Sequence, residues 1–391
     1  MSNHLVPEQA RAYMAKLLEV VHRSGASDMF ISAGFPPSMK VHGEIRALSS
    51  GKLTPELSRA YVMALMSERQ KEEFEREKEC NFAVTLDFCR FRVNAFLQQL
   101  HTGMVVRAIA SEVPTMAKFK LPEILKDIVM AKRGLVLMVG ASGSGKSTSL
   151  AAMLDHRNAS ASGHIVTVED PLEFVHESKK CMITHREVGA DTHSMLHALK
   201  NAMRQAPDVI MIGEVRDTDA MEHAIAFSET GHLCLATLHA NNTNQTLDRI
   251  VNFFPEDRRP QLLMSLSSNL KAVVSQRLVR SEDGQRRVAT EILINTPTVA
   301  EMILKGQFQS IKDVMSKSRE IGMRTFDQDL FDLYDSGEIG YDDALRNADS
   351  MNELRLNIKL KAQRGEPKAV ASVSATAATA AAAASARVHA R

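Results

Sequence analysis

Residues Gly140 to Ser147 read GASGSGKS. This is a full match to G-x-x-x-x-G-K-[ST], the loop that cradles nucleotide phosphates. The apolar run LVLMV precedes it and STSLAAMLDH follows, which reads as strand, loop, helix. Gly140, Gly143 and Gly145, with Ser142 and Ser144 between them, let backbone N–H groups wrap an anion at a helix N-terminus. Lys146 is expected to bridge the β- and γ-phosphates, and Ser147 to ligate Mg²⁺. Thr148 completes the nucleotide-binding set as a cap or packing residue. The chain has no N-K-x-D stretch to read guanine, so ATP with Mg²⁺ is the expected ligand.

Three further stretches carry chemistry. VTVEDPLEFVH, 166–176, ends an apolar strand in Glu169, Asp170 and Glu173, with Pro171 stopping the ladder. A carboxylate there can order or deprotonate an attacking water. In PDVIMIGEVRD, 207–217, the strand Val209–Ile212 runs into Glu214. A carboxylate at such a strand end is where a P-loop enzyme holds its metal. Asp208 opens that strand and is poorly placed for either role. TGHLCLATLHANN, 230–242, puts His232 and His239 at the two ends of a short buried strand. A polar group at the carboxyl end can sense the γ-phosphate.

These residues need a scaffold, and the chain is long enough for two or three domains at 391 residues. The short apolar runs GLVLMVG, HIVTVED, DVIMIGE and HLCLATLHA are separated by helical stretches, which predicts a mostly parallel, buried sheet with helices on both faces. Before them, helical spacing over 7–23 and alternating runs such as NFAVTLDF, RFRVNAFLQQ and GMVVRAIA predict a smaller α+β module with an antiparallel sheet. The expected division is 1–110 for this module, 111–122 for a proline-containing linker, and 123–362 for the α/β domain, helical after about residue 256 with one strand pair near RRVATEILIN. The Ala/Ser/Thr-rich tail, 363–391, has nothing to bury and is expected to be disordered.

Bulk properties narrow the function. Net charge is +1, so no overall basic field draws the chain to nucleic acid. Cys80, Cys89, Cys181 and Cys234 form no C-x-x-C pair, which argues against structural zinc and fits a reducing cytosol. The N-terminus lacks the apolar core of a signal peptide, and no apolar run reaches the roughly 20 residues needed to span a membrane.

The P-loop, EDPLE, GEVRD and GHLCLATLHAN occur in one order, and in this the chain resembles the secretion-ATPase superfamily. Within it, residues 10–345 resemble the twitching-motility retraction ATPases of the PilT/PilU family. ASDMFISAGFPPSMKVHGEI resembles the opening of their N-terminal domain, and GMRTFDQDL a stretch of their C-terminal region. The resemblance implies a PAS-like N-terminal domain, a RecA-like ATPase domain and a homo-hexameric ring, cytoplasmic and peripheral to the inner membrane. It implies ATP hydrolysis coupled to pilus disassembly, with a PilT-like ATPase and an inner-membrane platform protein as partners. It places the water activator on Glu173, the Walker B glutamate on Glu214 and the histidine box on His232 and His239. Glu214 then serves Mg²⁺ through a bound water. Family members supply arginines from the N-terminal domain, so Arg92 and Arg107, with Arg90, are the expected positions in RFRVNAF and VVRAI.

Two departures stand out. VAEMIL, 299–304, replaces an AIRNLI-like helix, and Leu100 stands where PilT-like proteins often carry another arginine. Both, with the Ala-rich tail, point to the accessory PilU branch. The alternatives are a pilus-extension or type II secretion ATPase, against which the missing C-x-x-C insert argues, and an interaction module that acts by docking on a PilT ring. A small-molecule kinase is a weaker option, because nothing reads as an acceptor pocket or lid.

Overall fold

In the computed structural model, residues 7–41, 43–109 and 113–364 are described. Most of the Ala-rich tail and the first residues of the expected linker lie outside them. Two sheets organise the chain. The first has six antiparallel strands: β1 (Asp28–Ile31), β2 (Ser38–Val41), β3 (Glu44–Ala47), β4 (Glu79–Leu86), β5 (Cys89–Gln98) and β6 (His101–Ile109), in the order β3-β2-β1-β6-β5-β4. Period-two alternation places its residues. Along β5, Phe91, Val93 and Ala95 are fully buried in the N-terminal core, so Arg90 and Arg92 project from the other face. The helix Pro7–Arg23 sends Met14, Leu17, Leu18 and Val21 into the same core.

The second sheet has seven strands: β7 (Gly134–Val139), β8 (Gly163–Glu169), β9 (Cys181–Glu187), β10 (Val209–Ile212), β11 (Leu233–Leu238), β12 (Leu270–Arg280) and β13 (Arg286–Ile294). Their order is β13-β12-β7-β11-β10-β8-β9, all parallel except the edge strand β13. Every residue of β7, β10 and β11 is buried, as continuous apolar runs require of strands covered on both faces. On β7, Leu135, Leu137 and Val139 enter one core while Val136 and Met138 enter another across the sheet. The expected α/β class, with a mostly parallel sheet after an antiparallel module, is what the strands form.

One strand carries a weak sequence signal. β9, CMITHRE, is an edge strand with only its end residues buried, so it shows no apolar run. The helix Pro55–Leu65 starts where Thr54 accepts a hydrogen bond from the Leu57 N–H and Pro55 opens the first turn. Because β7, β8, β10 and β11 are parallel, their carboxyl ends share one edge of the sheet. That is where doubly wound sheets bind ligands.

Candidate nucleotide site

The P-loop joins β7 to the helix Lys146–Ser160. Gly140 closes against the neighbouring strand: a Cβ there would lie 2.6 Å from the Gln276 carbonyl oxygen. Gly145 sits at φ +85° and caps the helix with no side chain, so the first-turn N–H groups have no side-chain acceptor. The Lys146 ammonium is buried and donates to the carbonyls of Gly140 at 2.8 Å and Ala141 at 2.9 Å. Burial pulls its pKa down, while the Glu214 and Glu173 carboxylates pull the other way.

A cleft of about 560 Å³ opens at this sheet edge. Loop residues Ser142–Thr148 form its floor, and Glu173, Glu214, His239 and Arg92 line it. Glu214 is held from two sides. Arg216 Nε donates to its Oε2 at 2.7 Å, and His239 Nε2 lies 3.0 Å from its Oε1. Thr237 donates its hydroxyl to the Gly213 carbonyl and fixes the turn that presents Glu214. Asp170, Pro171 and Glu173 leave the end of β8, with Glu173 exposed on the cleft.

Behind the exposed acid sits a buried one. Glu169 accepts from the Glu173 N–H at 3.4 Å, and desolvation pushes its carboxyl up to about 7. Its neighbours form a polar chain. Thr167 Oγ1 lies 2.9 Å from His185 Nδ1, and the His176 N–H donates to His185 Nε2 at 3.1 Å. The two imidazoles stack at 5.9 Å, and burial lowers His176 to about 4.

The structure brings Lys146, Ser147, Glu173, Glu214, His239 and Arg92 to one cleft within a single chain. It does not bring His232 or Arg107 there. His232 precedes β11 at the opposite edge, one strand length of about 20 Å away. Its Nδ1 lies 3.2 Å from the Phe227 carbonyl oxygen. Arg107 is the cross-strand neighbour of Arg92 but pairs with Asp28 at 2.8 Å. Arg90 pairs with Glu187 at the end of β9. Arg216, Thr237 and the buried role of Glu169 are additions to the expected set. Each lies within a motif already singled out, so position in the motif was the available signal.

On the far side of the loop a second cavity, about 690 Å³, adjoins Ala141–Ser144. Gln276, Arg277, Leu278 and the cross-strand pair Arg280 and Arg286 line it. Among the described residues no three His, Cys, Asp or Glu side chains gather to cage a metal. No helix among them is long and apolar enough to cross a membrane.

The family model for the type II/IV secretion system protein matches residues 8–317. The type IV pilus ATPase PilU of Pseudomonas aeruginosa is 54% identical over 350 residues, covering 89% of this chain and 92% of that protein. The type IV pilus retraction ATPase PilT of the same organism is 39% identical, covering 86% and 98%. A crystal structure of the pilus retraction motor PilT with bound ADP superposes with a TM-score of 0.81 at 36% identity, covering 86% of this chain and 97% of that one. The second sheet and its P-loop are thus a RecA-like ATPase domain. The chain belongs to the type II/IV secretion system protein family, in its PilT/PilU group of ATPases.

Proposed function

We propose that the chain is a subunit of a homo-hexameric, PilU-like motor that hydrolyses ATP to power or assist type IV pilus retraction. The observation that carries this is the convergence of Lys146, Glu173, Glu214 and His239 around one P-loop at the carboxyl edge of the sheet. The acids lie on one side of the loop, so the γ-phosphate points toward them and the nucleoside toward the cavity beside β12 and β13. Lys146 exchanges the Gly140 and Ala141 carbonyls for the β- and γ-phosphate oxygens. Glu173 takes the proton of the attacking water as its oxygen bonds to the γ-phosphorus and the bond to the ADP oxygen breaks. His239 reports the γ-phosphate to Glu214, and Arg92 offsets charge on the transferring group.

The Ser147 hydroxyl and Glu214 carboxylate are hard oxygen donors, and so few protein ligands suit an ion that keeps waters and phosphate oxygens around it. They would hold Mg²⁺, which neutralises charge on the phosphates when bound. We place the division between the domains at 111–122, and the ring in the cytoplasm against the inner membrane, with a PilT-like ATPase and the platform protein as partners. Relatives named as both PilU and PilT favour one second reading, an accessory ring that acts by docking on a PilT-like ring. Measuring ATP turnover of Lys146→Ala, and pilus retraction under load with hydrolysis-dead versions of each ATPase, tests both. Normal turnover in Lys146→Ala would refute the site. Normal loaded retraction with the hydrolysis-dead form would favour docking.

A further inference from the structure

β5 carries two arginines with different fates. Arg90 and Arg92 project from the face opposite Phe91 and Val93, toward the second sheet. They are separated along the strand by about 7 Å. Arg90 Nη2 pairs with Glu187 Oε2, whose side chain is 7% exposed. Arg92 lines the nucleotide cleft beside the P-loop, and among the described residues it takes no ion pair of its own. The only other hydrogen bond between these two parts of the chain, among the described residues, is a long one, Arg69 Nη2 to the Gly189 carbonyl at 3.4 Å.

Glu187 is placed to matter. It is the register partner of Glu169 on the adjoining strand, and the Val188 N–H donates to the Glu169 carbonyl at 2.9 Å. The anchor point of Arg90 is therefore one strand from the turn that carries Glu173. A partly buried ion pair linking elements 97 residues apart is a poor source of net stability, because desolvation offsets its attraction. It fixes geometry instead: with Arg90 tied to Glu187, a stiff strand carries Arg92 a set distance over the phosphate loop.

We propose that Arg90 is a positioning residue for ATP hydrolysis: its pair with Glu187 holds β5 against the end of β9 and thereby places Arg92 in the nucleotide cleft. This rests on the reading of the cleft as an ATP-hydrolysing site with Arg92 at the phosphates. Three neighbouring arginines then have separate roles. Arg92 faces the nucleotide, Arg90 locates Arg92, and Arg107 stays within its own sheet on Asp28.

A double-mutant cycle on the full-length protein tests it, read as kcat and KM for ATP with melting temperature followed in parallel. Arg92→Ala is expected to lower kcat about 100-fold, and Arg90→Ala about 10-fold or more, since a misplacement near 1 Å has effects of that size. In the Arg92→Ala background, Arg90→Ala should change kcat less than twofold, roughly, because its effect passes through Arg92. The charge swap Arg90→Glu with Glu187→Arg should regain most of the lost kcat, and Arg90→Lys should fall between wild type and Arg90→Ala. Equal fold losses from Arg90→Ala in both backgrounds would show a merely structural role and overturn the proposal. So would unchanged kcat in Arg90→Ala, or a swap as slow as the single variants. Wild-type turnover in Arg92→Ala overturns it at its base while leaving the ATPase reading, tested separately at Lys146, intact.

Discussion

The two edges of the seven-stranded sheet use the same residue types for different ends. At the carboxyl edge, Glu214 and His239 meet at 3.0 Å beside the P-loop lysine. At the amino edge of the same strands, Asp208 and His232 satisfy backbone groups. Asp208 Oδ2 accepts from the His164 N–H at 2.7 Å, and His232 packs by the Phe227 carbonyl. Glu214 follows β10 and Asp208 precedes it; His239 follows β11 and His232 precedes it. Residue type alone does not assign a role here. Strand polarity does, because parallel strands collect their loops and one helix N-terminus at a single edge.

The sharpest way to break this contrast is at the phosphate loop. Lys146→Ala should lower ATP turnover by at least about 10³-fold, since positioning and charge supply nearly all of phosphoryl-transfer catalysis. A phosphate-release assay reads this directly. Next comes the histidine pair. His239→Ala should reduce turnover about tenfold or more by freeing Glu214, whereas His232→Ala should leave kcat within about twofold. Comparable losses at both positions would mean that the amino edge contributes to chemistry.

Asp208→Asn sharpens the other half of the contrast. Turnover should hold while stability falls by about 1 kcal/mol, from a weakened hydrogen bond to the His164 N–H. Denaturant unfolding measures it. The smallest effect concerns pH. The folded-state pKa of Glu169 lies near 7, above its ordinary 4.5, so ionising it works against folding. That cost is absent below about pH 4.5, grows between the two values and is complete above 7. Glu169→Gln should therefore gain stability over wild type at pH 8 and not at pH 4, by at most about 3 kcal/mol. His176 has the opposite sign: its folded value near 4 lies below 6.5, so stability falls as pH drops through that interval. Melting curves of wild type and Glu169→Gln across pH 4–8 resolve the two.

Much of the site was legible because its parts are contiguous. GASGSGKS, EDPLE and GEVRD each carry loop, strand end and functional side chain within a few residues, and uninterrupted apolar runs marked β7, β10 and β11. What was not legible depends on pairing between distant segments. β9 shows no apolar run because it is a half-exposed edge. The anchoring of Arg90 by Glu187 depends on how two sheets meet, and no local periodicity records that. The burial of Glu169, two strands from the P-loop strand's neighbour, follows from packing rather than from its place in EDPLE. The two histidines flanking β11, by contrast, separate as soon as that strand runs parallel to the P-loop strand, as its apolar run predicts.

The proposed division of labour between two carboxylates at the carboxyl edge gives Glu173 the water and Glu214 the metal. The most direct measurement is the Mg²⁺ dependence of ATP binding and turnover in Glu173→Gln and Glu214→Gln. Glu173→Gln should bind Mg-ATP with near wild-type affinity and lose turnover by about 10²–10³-fold. Glu214→Gln should need more Mg²⁺ to reach its remaining rate. If Glu173→Gln turned over normally while Glu214→Gln bound Mg-ATP tightly and could not hydrolyse it, the two roles would be exchanged.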